Sequence, residues 1–485
     1  MLVEGDSMKT VISGGTIVTA SETYQADVMI EGEQVLMIGT DLAQWADRVI
    51  DATGKLVMPG AIDVHTHMDM PFGGTTSCDD FTTGHVAALH GGTTMHIDFS
   101  TQPKGGSLQD GLDTWHGKAN GKAVMDYGFH MIVTDARPEV IEELDSMVEQ
   151  GVTSFKCFLA YPDALMVDDD TLFAVMERAA GNGGLVMIHA ENGHVIDTLV
   201  KRAVAAGDTR PGFHYRTRPA TLEGESTERA IALAKVADAP LYIVHVTCAE
   251  AVDAIARARH AGQKVWGESC TQYFYLTQDD LDRDGFEGAK FVCSPPLRTE
   301  ADQARLWEAI RRDELEVIST DHCPFNYGEQ KALGRDDFSK IPNGIPGIEE
   351  RLSLLSEAVH EGHLTCQRMV EVAATNPAKL FGCYPQKGTI APGSDADIVV
   401  WDPELVRSWS ADTIHSAIDY TCYDGMKTRG GATHVLSRGE VLIEDGELTD
   451  AATPGRGRFV KRRPFEFTRP GEFVGPSTIR QEIHA

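Results

Sequence analysis

The middle of the chain alternates short apolar segments with segments of helical periodicity, and this alternation restricts the possible folds more than any other feature. Eight apolar segments fall within about 260 residues, a number and length typical of a (β/α)8 barrel. A doubly wound open sheet is the alternative, but no glycine-rich dinucleotide loop follows any early segment. The sequence therefore predicts an α/β protein with a TIM-type (β/α)8 barrel. Its predicted strands are 61–65, 93–99, 127–133, 153–159, 185–190, 241–246, 264–269 and 317–321, and its helices include 139–150, 169–180, 226–237, 249–261 and 301–312.

Both ends of the chain carry short strand patterns separated by turns. Gly14-Gly15 and Glu31-Gly32-Glu33 interrupt the first stretches, and similar stretches return at 396–401, 433–437 and 440–443. Closely spaced strands of this kind are typical of a small antiparallel sheet. We expect the two ends to pair into one small β-sandwich. The predicted domains are 1–56 (first part of the sandwich), 57–394 (barrel), 395–450 (second part of the sandwich) and 451–485 (a carboxy-terminal extension).

The charge balance disfavours two classes of partner. The 485 residues include 43 basic and 73 acidic side chains, which gives a formal net charge of −30. Such a surface repels phosphates, so we expect no nucleic acid and no anionic membrane as partners. No run approaches the roughly 18 uncharged apolar residues of a membrane span.

The amino terminus and the cysteines indicate a cytoplasmic protein. Glu4 and Asp6 precede any apolar stretch, so the chain start lacks the basic and apolar regions of a secretory signal. Met8 is an alternative natural start to Met1. Nine cysteines without a CxxC pair are typical of reduced thiols rather than of a disulfide framework.

The carboxy-terminal extension is basic and contains several prolines and glycines. Arg456, Arg458, Lys461, Arg462 and Arg463 follow one another closely. One interpretation is an arm that contacts a neighbouring subunit, and the other is a solvated terminus.

Residues that bind metals or protons follow several of the predicted strands. His65 and His67 close the first strand, where side chains two residues apart point the same way. An isolated His-X-His is weak support for a metal site. However, His189, His245 and Asp321 end three further strands. The carboxyl ends of barrel strands form one face, which is where active sites lie, so these residues predict a site for a transition metal.

Lys156 is a charged residue within the otherwise apolar strand Ser154-Phe155-Lys156-Cys157-Phe158. Burial makes an ammonium costly and lowers the lysine pKa, which favours a neutral, nucleophilic amine. Such an amine can take up carbon dioxide to give a carbamate whose two oxygens can bridge two cations. The alternatives are a side chain that extends to the barrel mouth and one that pairs with Asp321.

These motifs resemble those of the binuclear amidohydrolases and, within them, the dihydropyrimidinases and bacterial D-hydantoinases. The resemblance runs from about Met8 to Arg463, and the contexts of Lys156 and Asp321 are its most specific parts. It implies a metal-dependent amidohydrolase barrel and a homotetramer, with the extension at an oligomer interface. The matching segments are 63–67, 70–75, 91–94, 154–156, 158–161, 293–298, 342–344 and 455–459.

The resemblance implies a site with two divalent metal ions. His65, His67 and Asp321 would hold one ion, and His189 and His245 the other. Lys156, as N6-carboxylysine, and a hydroxide would bridge them. Zinc is the expected metal, with manganese and iron as alternatives. Asp321 would transfer the hydroxide's proton to the leaving ring nitrogen.

The resemblance also implies residues that bind a small cyclic amide substrate. The hydroxyl of Tyr161 would donate to the tetrahedral oxyanion, while Ser294 and Asn343 would hold the cyclic imide edge. Ser294 and Asn343 also lie in natural turn sequences, which is the alternative interpretation. An apolar wall for the exocyclic group of the substrate is expected from Met68, Met70, Phe72 and Phe158.

The implied reaction opens the ring amide of 5,6-dihydropyrimidines, such as dihydrouracil to N-carbamoyl-β-alanine, or of 5-substituted hydantoins to N-carbamoyl amino acids. Dihydroorotases typically carry an arginine two residues past the second histidine, where this chain has Asp69. An allantoinase-like ureide hydrolase is the nearer alternative. A non-catalytic binding protein, like the collapsin response mediator proteins, is less consistent with a complete set of six ligand positions.

Overall fold

The computed structural model describes residues 8–466, which begin with seven short strands. Gly32 has a φ of 59° in the turn between the fourth and fifth strands, a conformation that favours glycine. The strands are β1 (Lys9–Ser13), β2 (Thr16–Val18), β3 (Thr23–Gln25), β4 (Asp27–Glu31), β5 (Gln34–Gly39), β6 (Arg48–Asp51) and β7 (Leu56–Pro59).

Eight parallel strands then follow as predicted, each paired with the next along the chain. They are almost entirely buried, as expected for strands covered by side chains on one face and helices on the other. These strands are β8 (Ala61–Thr66), β11 (Thr93–Thr101), β12 (Asp126–Ile132), β13 (Ser154–Phe158), β14 (Leu185–His189), β15 (Leu241–Ile243), β16 (Val265–Cys270) and β17 (Val317–Ser319); a separate hairpin consists of β9 (Pro71–Phe72) and β10 (Thr75–Thr76).

Contacts between the first and last strands close the sheet into a barrel. The backbone N–H of His67 donates to the carbonyl of His322 over 2.9 Å. The hydroxyl of Thr320 donates to Oδ2 of Asp63 over 2.6 Å. The predicted (β/α)8 architecture is therefore confirmed.

Helices connect the barrel strands, and two of them begin at a reciprocal capping box. Ser107 with Asp110, and Thr299 with Asp302, form reciprocal capping boxes at the starts of two helices. The helices are α1 (Thr83–His90), α2 (Leu108–Ala119), α3 (Pro138–Glu149), α4 (Asp169–Asn182), α5 (Gly193–Ala205), α6 (Phe213–Arg216), α7 (Ala220–Ala237), α8 (Ala249–His260), α9 (Gln272–Tyr275), α10 (Glu300–Arg311), α11 (Arg351–His360), α12 (Cys366–Val370) and α13 (Asn376–Leu380).

Shorter turns complete the helical part of the fold. Glu371–Thr375 is a π-helical turn that joins α12 to α13. The 3-10 turns are Leu42–Trp45, Gln278–Asp282, Glu287–Phe291, Lys331–Gly334 and Phe338–Lys340.

The two ends of the chain form one β-sandwich, as predicted. Four late strands complete it: β18 (Ile398–Ser408), β19 (Lys427–Ser437), β20 (Glu440–Glu444) and β21 (Glu447–Leu448). The order of one sheet is β21-β20-β19-β18-β7-β2-β3, so β18 pairs directly with β7 from the amino-terminal end. The other sheet has the order β5-β4-β1-β6. Side chains from both sheets share one apolar core, which includes Ile12, Val28, Ile398 and Leu436. The exact domain boundaries stay predictions.

The described part of the carboxy-terminal extension packs on the barrel of its own chain. Val460 N–H donates to the carbonyl of Tyr127 over 2.7 Å, and Phe465 N–H donates to that of Gly183 over 2.8 Å. Arg462 is buried and donates to Ser154 over 2.9 Å. A contact with another subunit stays a prediction, and residues 467–485 lie outside the described part.

Within residues 8–466, no helix has both the length and the apolar character needed to cross a membrane.

Candidate active site

A cavity opens at the carboxyl ends of the barrel strands. It contains about 410 Å³ of space, part of which is open to solvent. Nearly all the predicted site residues border it, together with three residues that were not predicted to do so: Leu165, Cys323 and Gly344. The predicted residues at the cavity are His67, Met70, Phe72, Lys156, Phe158, Tyr161, His189, His245, Ser294, Asp321 and Asn343.

Four of the predicted metal ligands converge at the floor of this cavity. The Nε2 atoms of His65 and His67 each lie 3.1 Å from Oδ1 of Asp321. Lys156 Nζ lies 3.1 Å from His65 Nε2. These contacts bring together side chains from β8 and β13 and from the end of β17.

The other two predicted ligands face each other across the same floor. His189 Nδ1 lies 2.9 Å from His245 Nε2. The ring of His245 also lies beside that of His65, with centroids 5.3 Å apart. The ligand atoms of His65, His245 and Asp321 all lie within 4.8 Å of one another.

Two buried carboxylates fix which nitrogen of each imidazole faces the cavity. Glu268 on β16 bonds Nδ1 of His65, which leaves Nε2 for the cavity. Glu191 lies 2.9 Å from Nε2 of His189, which leaves Nδ1. Carboxylates of this kind orient metal-binding histidines in many proteins.

Our sequence analysis did not identify Glu268 and Glu191. A signal existed for each, since Glu268 interrupts an apolar strand and Glu191 lies two residues past His189. Glu268 also accepts from the hydroxyl of Tyr242 over 3.1 Å, so it has polar partners on two sides.

Lys156 lies in an environment that favours its neutral form more than water does. Its side chain is 1% exposed, and its Nζ lies 4.1 Å from the centre of the Phe99 ring. Burial lowers the pKa of Lys156 to about 8, although Asp321 and Glu268 oppose the shift. The side chain therefore does not extend to solvent at the barrel mouth.

Three of the four histidines are also held in the neutral form that binds metals. For His65, burial and Lys156 lower the pKa, but Asp321 and Glu268 outweigh them and raise it. Burial lowers the pKa of His67 to about 4. Burial likewise lowers the pKa of His189, and it takes that of His245 well below its ordinary value. Nδ1 of His67 and Nδ1 of His245 have no hydrogen-bond partner among the described residues. Neutral imidazoles around carboxylates and an amine form a donor set that fits divalent transition metals.

The backbone turns sharply at three of the site residues. His245 has a φ of 39°, Asp321 of 52° and Tyr161 of 66°, all in the left-handed region. Such conformations are costly for residues with a β-carbon and concentrate at functional sites. They also end β15 and β17 before His245 and Asp321, which our sequence analysis had placed within the strands.

Tyr161, Ser294 and Asn343 come together at one side of the cavity. Asn343 Nδ2 lies 3.4 Å from the hydroxyl of Tyr161. Burial raises the pKa of Tyr161 to about 12, so its hydroxyl keeps its proton at neutral pH. His214, which the sequence analysis did not select, lies 3.2 Å from Ser294 Oγ and 2.8 Å from the carbonyl of Cys293.

Of the four apolar residues predicted to wall the cavity, three border it and one does not. Met70, Phe72 and Phe158 border the cavity. Met68 instead packs in the core, with its sulfur against Gly84, and does not line the cavity. Met68 lies in the turn that follows β8, and this turn places its side chain in the core. A turn at Asp69, with a φ of 49°, then returns Met70 to the cavity.

Comparisons with known proteins identify the family. The model of the amidohydrolase family matches residues 56–442. A D-hydantoinase of Streptomyces coelicolor is 52% identical over 95% of this chain and 99% of its own. A D-hydantoinase of Geobacillus stearothermophilus is 49% identical over 94% and 97% of the two chains.

A solved structure supports the same assignment. The crystal structure of a dihydropyrimidinase from Brevibacillus agri superposes with a TM-score of 0.94 at 52% identity, and the match covers 96% of this chain and 100% of that one. The resemblance found in the sequence motifs is thus confirmed over nearly the whole chain, so the chain is a member of the amidohydrolase family, within its group of dihydropyrimidinases and D-hydantoinases.

Proposed function

We propose that this protein hydrolyses the ring amide of 5,6-dihydropyrimidines, 5-substituted hydantoins or both, to give N-carbamoyl amino acids. The observation that carries the proposal is the convergence of six ligand-type residues on one cavity floor. The names of the similar proteins, D-hydantoinase and dihydropyrimidinase, support this substrate class.

The metal site is proposed to hold two divalent ions, with zinc as the expected metal. His65, His67 and Asp321 would hold one ion, and His189 and His245 the other. Bound ions in such a site lower the pKa of a bound water and polarise the scissile carbonyl.

Lys156 is proposed to bridge the two ions as a carbamate. Its neutral amine attacks the carbon of carbon dioxide, forms a nitrogen–carbon bond and releases one proton. One C=O π bond of carbon dioxide opens as the nitrogen–carbon bond forms, so the product carries one negative charge shared by two oxygens in place of the amine lone pair. The buried position of Nζ, 3.1 Å from His65 Nε2, supports this modification.

Asp321 is proposed to carry a proton between the attacking water and the leaving ring nitrogen. Burial raises its pKa, but His65 and His67 outweigh that effect and hold the pKa well below its ordinary value. The carboxylate is therefore ionised and can accept a proton at neutral pH.

The remaining residues are proposed to bind and orient the substrate. Tyr161 would donate its hydroxyl proton to the carbonyl oxygen as negative charge develops there. Ser294 and Asn343 would hold the imide edge of the ring beside it. Met70, Phe72 and Phe158 would surround the exocyclic substituent, which favours apolar groups such as phenyl.

The same site disfavours the alternatives. Asp69 stands where a dihydroorotase carries its carboxylate-binding arginine, so the chain lacks that cation for an anionic substrate. A non-catalytic binding protein has no need of the buried Lys156 beside four buried histidines. We also propose a cytoplasmic homotetramer as the native form.

A parallel assay tests this function. The purified protein, loaded with zinc and bicarbonate, is given dihydrouracil, 5-phenylhydantoin, allantoin and dihydroorotate, and product formation is followed. We expect turnover of one or both of the first two rings. Preferential turnover of allantoin or dihydroorotate contradicts the proposal, as does inactivity on all four rings in a protein that binds two metals per chain.

A further inference from the structure

Lys331 is a fully buried lysine that the proposed reaction does not use. Its residue is 0% exposed, and it begins the short helical turn Lys331–Gly334. Burial lowers the pKa of Lys331 to about 8. No carboxylate in residues 8–466 pairs with it. A buried ammonium without a counter-charge is costly unless its protons are hydrogen-bonded.

Three backbone carbonyls satisfy the ammonium group. Nζ donates to the carbonyl of Val292 over 2.8 Å, to that of Pro342 over 2.8 Å and to that of Gly344 over 2.7 Å. These bonds use all three of its protons. A neutral side chain of similar length offers fewer donors and leaves carbonyls unpaired.

The three carbonyls belong to the two loops that border the substrate cavity. Val292 lies two residues before Ser294, and Pro342 and Gly344 flank Asn343. The loops also contact each other directly, since Gly344 N–H donates to the carbonyl of Val292 over 3.0 Å. A β-carbon on Gly344 would lie 2.3 Å from the carbonyl oxygen of Cys323, so there is little room for the loop to shift.

We propose that Lys331 is a positioning residue that fixes the Ser294 loop and the Asn343 loop relative to each other, so that both can hold the substrate ring. This inference rests on the proposed function of Ser294 and Asn343. Lys331 does not border the cavity and contacts none of the proposed metal ligands, so it acts on substrate through the two loops alone.

The inference predicts a specific kinetic change. Lys331→Met removes three hydrogen bonds and leaves the carbonyls of Pro342 and Gly344 without a donor among residues 8–466, while that of Val292 keeps Gly344 N–H, so both loops become looser. The metal ligands and Asp321 keep their positions. We therefore expect KM to rise about tenfold while kcat stays within about threefold, because the lost interaction serves binding rather than the chemical step.

A matched control separates positioning from general stability. Arg368 is a half-buried cation that also binds two backbone carbonyls, those of Ile310 and Leu315, each over 3.0 Å. These carbonyls precede β17, at the end of the barrel opposite the cavity. Arg368→Met therefore removes carbonyl contacts of the same kind, together with ion pairs to Asp313 and Glu371, without touching either substrate loop.

Steady-state kinetics and hydrogen exchange are measured on the zinc-loaded wild-type, Lys331→Met and Arg368→Met proteins. We expect Lys331→Met alone to raise KM and to speed amide exchange in peptides covering 292–298 and 340–346, with wild-type metal content. Unchanged KM and exchange, or equal changes in Arg368→Met, overturn the inference. Lys331→Gln, which keeps part of the hydrogen bonding, replaces Lys331→Met under the same criteria if the latter does not fold.

The two proposals fail in different ways. A wild-type protein that opens none of the rings contradicts the proposed function, and the exchange result then decides the role of Lys331 alone. A wild-type protein that is active, with a Lys331→Met variant of unchanged KM, contradicts only the role of Lys331.

Discussion

The Nζ atom of Lys156 lies 3.1 Å from Nε2 of His65, the same nitrogen that lies 3.1 Å from Oδ1 of Asp321. The amine of Lys156 and the carboxylate of Asp321 thus both contact Nε2 of His65, and all three groups can bind a cation. Glu268 bonds the other nitrogen of the His65 ring. An ammonium at Lys156 would occupy the space that a metal needs. A carbamate at Lys156 would instead supply oxygens that bind a metal together with His65 and Asp321.

Glu268 is expected to control metal affinity through His65. Glu268→Gln weakens the hydrogen bond that orients the ring, so we expect metal affinity to fall about 10- to 100-fold. Tyr242→Phe is the matched control, because it removes only the hydroxyl that donates to the other Glu268 oxygen. Competition with a chelator measures both variants. Wild-type affinity in Glu268→Gln would show that His65 needs no such partner.

Tyr161 is expected to act in the chemical step. Tyr161→Phe removes the proposed donor to the oxyanion while keeping the ring against Phe72 and Phe158, so we expect kcat to fall about 10²- to 10³-fold. Metal content should stay unchanged. A variant that changes KM alone would make Tyr161 a binding residue, contrary to our assignment.

Buried histidines outside the site should make stability depend on pH. Burial lowers the pKa of His85 from 6.5 to about 3. The unfolded chain therefore binds more protons than the folded one between those values, and stability is lost as the pH falls below 6.5. His85→Gln should reduce the slope of unfolding free energy by up to about 1.4 kcal/mol per pH unit in this window. Urea unfolding at several pH values measures it.

His194→Gln, at an exposed position, is the control for this measurement. The prediction fails if His85→Gln keeps the full wild-type slope, or if His194→Gln reduces the slope as much.

The carboxy-terminal extension is expected to support the oligomer. Light scattering should give about four chain masses for the full chain, and deletion from Pro464 onward should lower that number. The deletion keeps Arg462, which the structure places within its own barrel. A stable monomer in both forms would rule out the homotetramer.

Hydrophobic pattern predicted the barrel because its strands are continuous apolar runs, and it predicted the sandwich because short strands recur at both ends. It could not predict where β15 and β17 end. The left-handed backbone at His245 and Asp321 depends on contacts made only in the folded protein.

The site residues that the sequence did not predict correctly have similar causes in the folded structure. The position of Met68 next to His67 predicts a wall residue, but the turn at Asp69 decides which methionine reaches the cavity. The role of Glu268 in orienting His65 exists only in the folded protein, where β16 lies beside β15 and the carboxylate reaches the ring. Lys331 could not be selected from sequence, since its partners are backbone carbonyls from distant loops.

The central claim is that Lys156 bridges two metals as a carbamate, and Lys156→Ala tests it most directly. Metal content and hydrolysis rate are measured with and without added short carboxylic acids, beside Lys156→Arg as the control. We predict that Lys156→Ala loses most bound metal and at least about 10³-fold in rate, since metal activation of the water is lost. A short acid should restore part of the activity. Lys156→Arg should not recover, because its guanidinium stays charged and fills the space. Two metals per chain and near-normal turnover in Lys156→Ala would contradict the account.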